Sequence, residues 1–203
     1  MTAKKIIIGS NNQGKIKEFR KYFEPFQINI VTQKDMNILP TEETGKTFLS
    51  NSIQKARYIS SYTRHPVIAD DSGLVVEALG GSPGIYSARY AGIDSSDQDN
   101  IDLLMKQMQG EINRRAYFHC SLVYLRSCND NNPVIVETKW EGMICEKKIG
   151  CNGFGYDPIF YIPELKKTAA QLSAVEKNKI SHRGQGIRNL VQKLQQIRII
   201  PKT

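Results

Sequence analysis

Four short segments of this chain carry side chains suited to phosphate and metal chemistry. In the first, Ser10-Asn11-Asn12-Gln13-Gly14-Lys15 stands between an apolar run and a helical pattern. Backbone N–H groups and the helix dipole favour phosphate at such a place, and Lys15 adds a point charge. From Gly9 the segment also fits Gly-x-x-x-x-Gly-Lys, but Ile16 follows where a phosphate-loop NTPase needs Ser or Thr on magnesium. In the second, Asp70 and Asp71 are adjacent carboxylates, costly unless a hard cation or a shared proton offsets their repulsion. Glu42 and Glu43 can supply another oxygen ligand. In the third, Gly153-Phe154-Gly155-Tyr156-Asp157-Pro158 places two aromatics among glycines, where a purine can stack. In the fourth, Lys177, Lys179, His182 and Arg183 form a polar cluster ahead of the last helix, with donors for a base or a phosphate. Taken singly, each segment reads equally well as a turn, a solvated surface or a core aromatic at a bend.

The elements that must position these groups follow from periodicity. Lys4 to Gly9 predicts a strand, and Ile16, Phe19 and Phe23 share one face of the helix after it. Ile28 to Thr32 predicts a second strand and Asp35 to Gly45 a loop. Leu49, Ile53 and Ala56 then mark a helix with Thr44 or Thr47 as its N-cap. Val67-Ile68-Ala69 reads as a brief strand ending in a turn at Asp70-Asp71-Ser72-Gly73, with an extended segment from Leu74 to Leu79 beyond. Ile101, Leu104, Met105 and Met108 stripe a third helix capped by Ser95 or Ser96. Tyr117 to Leu125 and Val134 to Trp140 flank a polar loop as an antiparallel hairpin. Ser173 and Glu176 have capping-box spacing, and Ile187, Leu190, Val191, Leu194 and Ile197 line a closing helix. Alternating elements early and a hairpin late indicate an α/β fold around a mixed sheet flanked by helices, in one domain over residues 1–203.

Composition narrows the function classes. Hydrophobic residues make up 40% and charged residues 24%, which is globular usage rather than that of a disordered or fibrous chain. A net charge of +8 suits an anionic partner, but the basic residues are scattered with no polybasic arm, which speaks against nucleic acid. The apolar run near the amino terminus is too short for a signal peptide or membrane span, so a cytoplasmic protein without a membrane partner is expected. The four cysteines lack zinc spacing and read as reduced thiols.

Together the segments resemble the inosine triphosphate pyrophosphatase-like family. The resemblance rests on Ser10-Asn11-Asn12-x-Gly14-Lys15, Glu43-Thr44-Gly45-x-Thr47-Phe48, Ala69-Asp70-Asp71-Ser72-Gly73-Leu74, Gly80 to Tyr90, Gly153 to Phe160 and Ser181-His182-Arg183-Gly184-Gln185, in the family's order. It implies an elongated two-lobed α/β fold with the site in a cleft, a homodimer, and magnesium-dependent hydrolysis of ITP, dITP and XTP to monophosphate and pyrophosphate. Carried over residue by residue, Glu43 and Asp71 hold Mg2+ and Asp71 accepts the proton. Ser10, Asn11, Asn12, Gln13, Gly14, Lys15, Lys55, Ser72, Phe154, Gly155, Tyr156, Asp157, Lys177, His182 and Arg183 bind the nucleotide. Ser50 and Gly186 depart from the residues common in the family, Glu and Ala. A phosphate-loop NTPase, which releases orthophosphate, a maf-like pyrophosphatase and a basic nucleic-acid-binding protein are the rival readings.

Overall fold

Ile6, Ile7 and Ile8 alternate between the two faces of the first strand, and all three are buried, so this strand has to lie inside a sheet covered on both sides. The computed structural model, which describes residues 5–201, shows how. Strand β1 (Lys5–Gly9) leads into helix α1 (Gln13–Phe23), then β2 (Asn29–Thr32), α2 (Phe48–Ser61), β3 (Val67–Val76), α3 (Asp97–Gln107), β4 (Arg115–Leu125), β5 (Val134–Ile144), β6 (Phe160–Ile162), β7 (Lys167–Thr168), α4 (Ala174–Ile180) and α5 (His182–Gln196). Lys4, the first residue of the predicted strand, lies outside the described residues.

The strands form one sheet in the order β2-β1-β3-β4-β5-β6-β7. It is mixed: β1 runs parallel to β2 and β3, while β6 runs antiparallel to β5 and β7. The α/β reading with a mixed, helix-flanked sheet therefore holds.

The chain forms two compact units. One comprises the described residues up to Asp71, Cys120–Thr138 and those from Arg183 onward; the other comprises Ser72–His119 and Lys139–His182. In the first, Ile6 and Ile8 pack with Ile16, Phe19 and Phe23 of α1 and Ile187, Leu190 and Leu194 of α5, while Ile7 meets Ala56 and Ile59 of α2 on the other face. Each of the Ile, Leu and Phe side chains among these contributes about 1.5–3 kcal/mol by leaving water. The core of the second unit gathers Leu74, Leu104, Phe118, Trp140 and Phe160.

Local signals were sound at most ends. Thr47 and Ser96 cap α2 and α3, and Ser173 opens α4 with the capping box its spacing predicts. Ser50, where Glu is common, closes a reciprocal box with Thr47 through its own hydroxyl. At Gly186 a Cβ would stand 3.2 Å from both Leu122 and Thr138, so Ala there would require those side chains to give by a few tenths of an ångström.

Two expectations need correction. Asp70-Asp71-Ser72-Gly73 is no turn: β3 runs unbroken from Val67 to Val76 through both carboxylates. Turn propensity yields here because β3 lies between β1 and β4, whose ladders fix its backbone. Similarly, His182 and Arg183 are not ahead of the last helix but form its first turn.

Candidate functional site

In the first unit, parallel pairing of Gly9 with Ala69 sets the loop after β1 beside the carboxylates of β3. Open α/β sheets bind ligands at such carboxyl ends. The loop is only Ser10-Asn11-Asn12, because α1 starts at Gln13 with Asn12 as its N-cap, accepting from the Lys15 N–H at 3.1 Å. Ser10 Oγ accepts from the Asn12 N–H at 3.2 Å. Asn11, Asn12 and Gln13 are exposed and Gly14 is half-buried. A three-residue loop is too short to wrap a phosphate as a phosphate loop does, and Ile16, at the position of the missing Ser or Thr, is core.

Behind the loop lies a chain of buried charges. Lys15 Nζ is 2.7 Å from Asp70 Oδ2, Arg183 Nε is 3.3 Å from the same oxygen, and Arg183 Nη1 is 3.1 Å from Glu18 Oε2. Cys120 Sγ lies 3.3 Å from Asp70 Oδ1. Burial raises the Asp70 carboxyl, but the charges of Lys15, Arg183 and Lys55 outweigh it, and the net direction is well below the usual aspartate value. Burial alone would ease the proton off the Arg183 guanidinium; Asp70 and Glu18 reverse that and hold it more firmly charged than usual. Asp70 is thereby an ionised anchor committed to cations rather than a proton acceptor.

Asp71 points into different surroundings. Its Oδ2 accepts from Asn51 Nδ2 at 3.0 Å. Its carboxyl is raised, first by burial and further by the charge of Glu43, against the opposing pull of Lys55 and Lys15. Lys55 Nζ reaches the Asp70 carbonyl at 3.0 Å and Glu43 Oε1 at 2.5 Å. The Glu43 loop is further held by Gln54, which donates to the Glu42 carbonyl at 3.0 Å and accepts from the Thr44 N–H at 3.2 Å. Glu43 and Asp71 are hard oxygen donors whose charges sense each other, and a cation relieves that repulsion. The pair fits Mg2+, which is usually bound by one or two carboxylates with water and phosphate filling the other positions. No cluster of three or more acidic, His or Cys side chains able to hold a metal occurs among the described residues.

In the second unit, Asp157 organises the glycine-aromatic loop. Its Oδ2 accepts from the Phe154 N–H at 2.9 Å and from Lys177 Nζ, and that ammonium lies 4.6 Å from the centre of the Phe154 ring. Gly153, at φ 80°, is required, since a Cβ there would come within 2.0 Å of the Asp157 carboxylate. Gly155 donates its N–H to Asp97 at 2.6 Å. Tyr156 is a core residue whose hydroxyl donates to the Ser87 carbonyl at 2.9 Å, which leaves half-buried Phe154 as the aromatic face of the loop. Ser72 is half-buried on β3. His182 stacks on Phe118 with ring centres 4.7 Å apart and planes 11° from parallel, and Trp140 stacks beyond.

Lys15, Lys55, Glu43, Asp71 and Arg183 are thus all drawn around the Asp70–Asp71 segment, while Phe154, Asp157 and Lys177 converge on one loop. Glu18, Asn51, Asp97, Phe118 and Cys120 are participants that sequence reading missed. Spacing held a signal for two of them: Glu18 is three residues after Lys15, and Asn51 is four before Lys55, on shared helix faces.

This sheet, with an amide-rich strand-to-helix loop backed by buried charge, defines an α/β protein equipped for a polyanionic ligand. The chain belongs to the Ham1 family, whose model matches residues 6–193. It is 48% identical to a dITP/XTP pyrophosphatase of Pectobacterium atrosepticum over 94% of this chain and 98% of that protein. Among solved structures, a HAM1 protein from Coxiella burnetii is 39% identical with a TM-score of 0.90, covering 95% of this chain and 99% of that one. The Ham1 protein of Staphylococcus aureus is 43% identical with a TM-score of 0.84, covering 95% of this chain and 98% of that one.

Proposed function

We propose that this protein is a magnesium-dependent nucleoside triphosphate pyrophosphatase that converts ITP, dITP and XTP to monophosphate and pyrophosphate. The observation that carries the reading is the division of labour between adjacent carboxylates: Asp70 is tied to Lys15 and Arg183, and Asp71 is left with a raised carboxyl beside Glu43. The dITP/XTP pyrophosphatase of P. atrosepticum, alike over nearly its whole length, supplies the substrate class.

Magnesium held by Glu43 and Asp71 would supply charge neutralisation to the phosphates. Lys15 and Lys55 add positive charge at the triphosphate, and the N–H groups at the start of α1 face its oxygens. Asp71 accepts the proton of a water as it attacks the α-phosphorus in line, and pyrophosphate leaves. Phe154 offers its face to the purine, with Lys177 and Asp157 holding the loop. His182 donates to the 6-oxo group of hypoxanthine or xanthine, for which adenine has no acceptor. Arg183 was expected to bind the nucleotide; with Nε and Nη1 committed to Asp70 and Glu18, its part is to fix Asp70. Each donor that adenine leaves unpaired costs about 1–3 kcal/mol. The same reading makes the protein a cytoplasmic homodimer, testable by sedimentation; no helix among the described residues is long and apolar enough to cross a membrane.

The test is a panel of ITP, dITP, XTP, ATP and GTP with magnesium, scored by product. Pyrophosphate with IMP, and ATP nearly untouched, supports the reading. Orthophosphate with a diphosphate would transfer the protein to the γ-cleaving NTPases, and absence of turnover would leave it a binding protein.

A further inference from the structure

Helix α2 presents Asn51 and Lys55 one turn apart to the Asp70–Asp71 segment, and only Lys55 has so far been given a task. Asn51 is completely buried, at 0% exposure, which is a poor place for an amide without a purpose. Its Nδ2 donates to Asp71 Oδ2 at 3.0 Å. Its Oδ1 is buried with no hydrogen-bond donor among the described residues. What stands against it is Gly45, where a Cβ would come to 2.5 Å from Asn51 Oδ1 and 3.0 Å from the Asn51 nitrogen. The amide is therefore seated on a residue with no side chain, in the same loop that carries Glu43. Its orientation is fixed as well: turned over, it would set a carbonyl oxygen against a carboxylate.

We propose that Asn51 is a positioning residue for Asp71. By holding Oδ2, it turns the carboxylate so that Oδ1 is the oxygen presented to a water proton or a cation, and Gly45 is the seat that keeps the amide facing that way. The inference rests on the reading of Asp71 as the reacting carboxylate. It extends the working set from the two acids and two lysines to an amide on α2 and a glycine in the Glu43 loop. Groups that orient a ligand or base in this manner change activity by about 10–100-fold when removed.

The experiment compares wild type with Asn51→Leu, which keeps the size and removes the donor, and Asn51→Ala, in steady-state hydrolysis of ITP with magnesium. Expected is a fall of about 10–100-fold in kcat, with KM within about threefold, in variants that still fold with thermal midpoints lowered by the lost buried hydrogen bond. A crystal structure of Asn51→Ala should show the Asp71 carboxylate rotated away from its wild-type plane. Gly45→Ala, which keeps Asn51 but displaces its amide, should lose kcat in the same direction. Folded Asn51 variants with kcat near wild type, or a loss carried by KM alone, overturn the inference; should neither fold, a normal kcat in Gly45→Ala overturns it. A wild-type protein inactive on ITP refutes the proposed function itself, whereas an active wild type with indifferent variants refutes the role of Asn51 alone.

Discussion

Arg183 Nε lies 3.3 Å from Asp70 Oδ2, and the two side chains are 4% and 0% exposed, 113 residues apart in sequence. The guanidinium at the start of α5 therefore secures a carboxylate in the middle of β3, and Glu18 on α1 secures the guanidinium in turn. Breaking one partner of a buried pair leaves the other charge uncompensated, at about 3–5 kcal/mol. Arg183→Met should destabilise the protein toward the lower end of that range, because Lys15 remains 2.7 Å from Asp70. Arg183→Lys should recover only part of the loss, since an ammonium cannot reach both acids. Urea unfolding at neutral pH measures both.

The pH dependence of stability follows from the same carboxylate. The folded protein holds Asp70 below its unfolded value, so its stabilisation is complete above the ordinary aspartate range near pH ~4 and is lost as pH falls toward the depressed folded value. Wild type and Asp70→Asn should therefore differ most in urea midpoint near neutrality and converge as the medium is acidified. A gap that stays constant down to strongly acid pH would show that Asp70 is not held ionised.

Asp71→Asn retains the shape and the Asn51 contact partner but cannot take a proton. Turnover of ITP should fall by about a hundredfold or more while nucleotide binding persists. Stripping divalent ions with EDTA should abolish turnover in wild type, and added magnesium should restore it. A variant running at near wild-type speed removes Asp71 from the chemistry.

Phe118 sets the plane of His182 by stacking at 4.7 Å. Phe118→Leu keeps an apolar filling but loses the stack, worth about 0.5–1.5 kcal/mol beyond area burial. The expected result is KM for ITP raised about two- to tenfold with kcat nearly unchanged, and a smaller preference for ITP over ATP. Steady-state kinetics on both nucleotides decide it; a loss confined to kcat contradicts the role given to His182.

Gly73 has no room for a side chain, since a Cβ would stand 2.3 Å from Ser87 Oγ and 2.4 Å from the Gly84 carbonyl. That crowding exists because Ser87 accepts the Leu74 N–H at 2.8 Å and donates to Gly84 at 2.6 Å, binding the Gly84–Arg89 helical turn against β3. Gly73→Ala should cost about 1–3 kcal/mol or more. Ser87→Gly in the same molecule should not rescue it, because the Gly84 backbone still blocks the site. Thermal midpoints of the single and double variants check this.

Much of the fold was legible locally. The apolar period of α1, the caps at Thr47, Ser96 and Ser173 and the Gly-Ser-Asn loop are properties of neighbouring residues, so spacing reveals them. The pairing of Asp70 with Arg183 was not legible, because it is created only when distant segments close on β3, and the seat of Asn51 on Gly45, though local, depends on how the loop backbone meets the first turns of α2, which residue types alone do not reveal. Of the two local misreadings, the turn at Asp70-Asp71-Ser72-Gly73 arose because those residue types favour turns wherever flanking strands do not overrule them, and His182 and Arg183 were set ahead of α5 because a helix start is poorly marked by the apolar stripe that follows it.

By itself the sequence determined the inventory of candidate residues and the family whose motifs they repeat, while the elements carrying Asp70, Asp71, His182 and Arg183 had to be corrected. Only the tertiary structure decided how the surroundings of the two adjacent carboxylates differ. Asp70 and Asp71 are chemically identical in the chain, but successive side chains of a strand point to opposite faces. One is therefore buried against Lys15 and Arg183 and held ionised, while the other is placed beside Glu43 and Asn51 with its proton affinity raised.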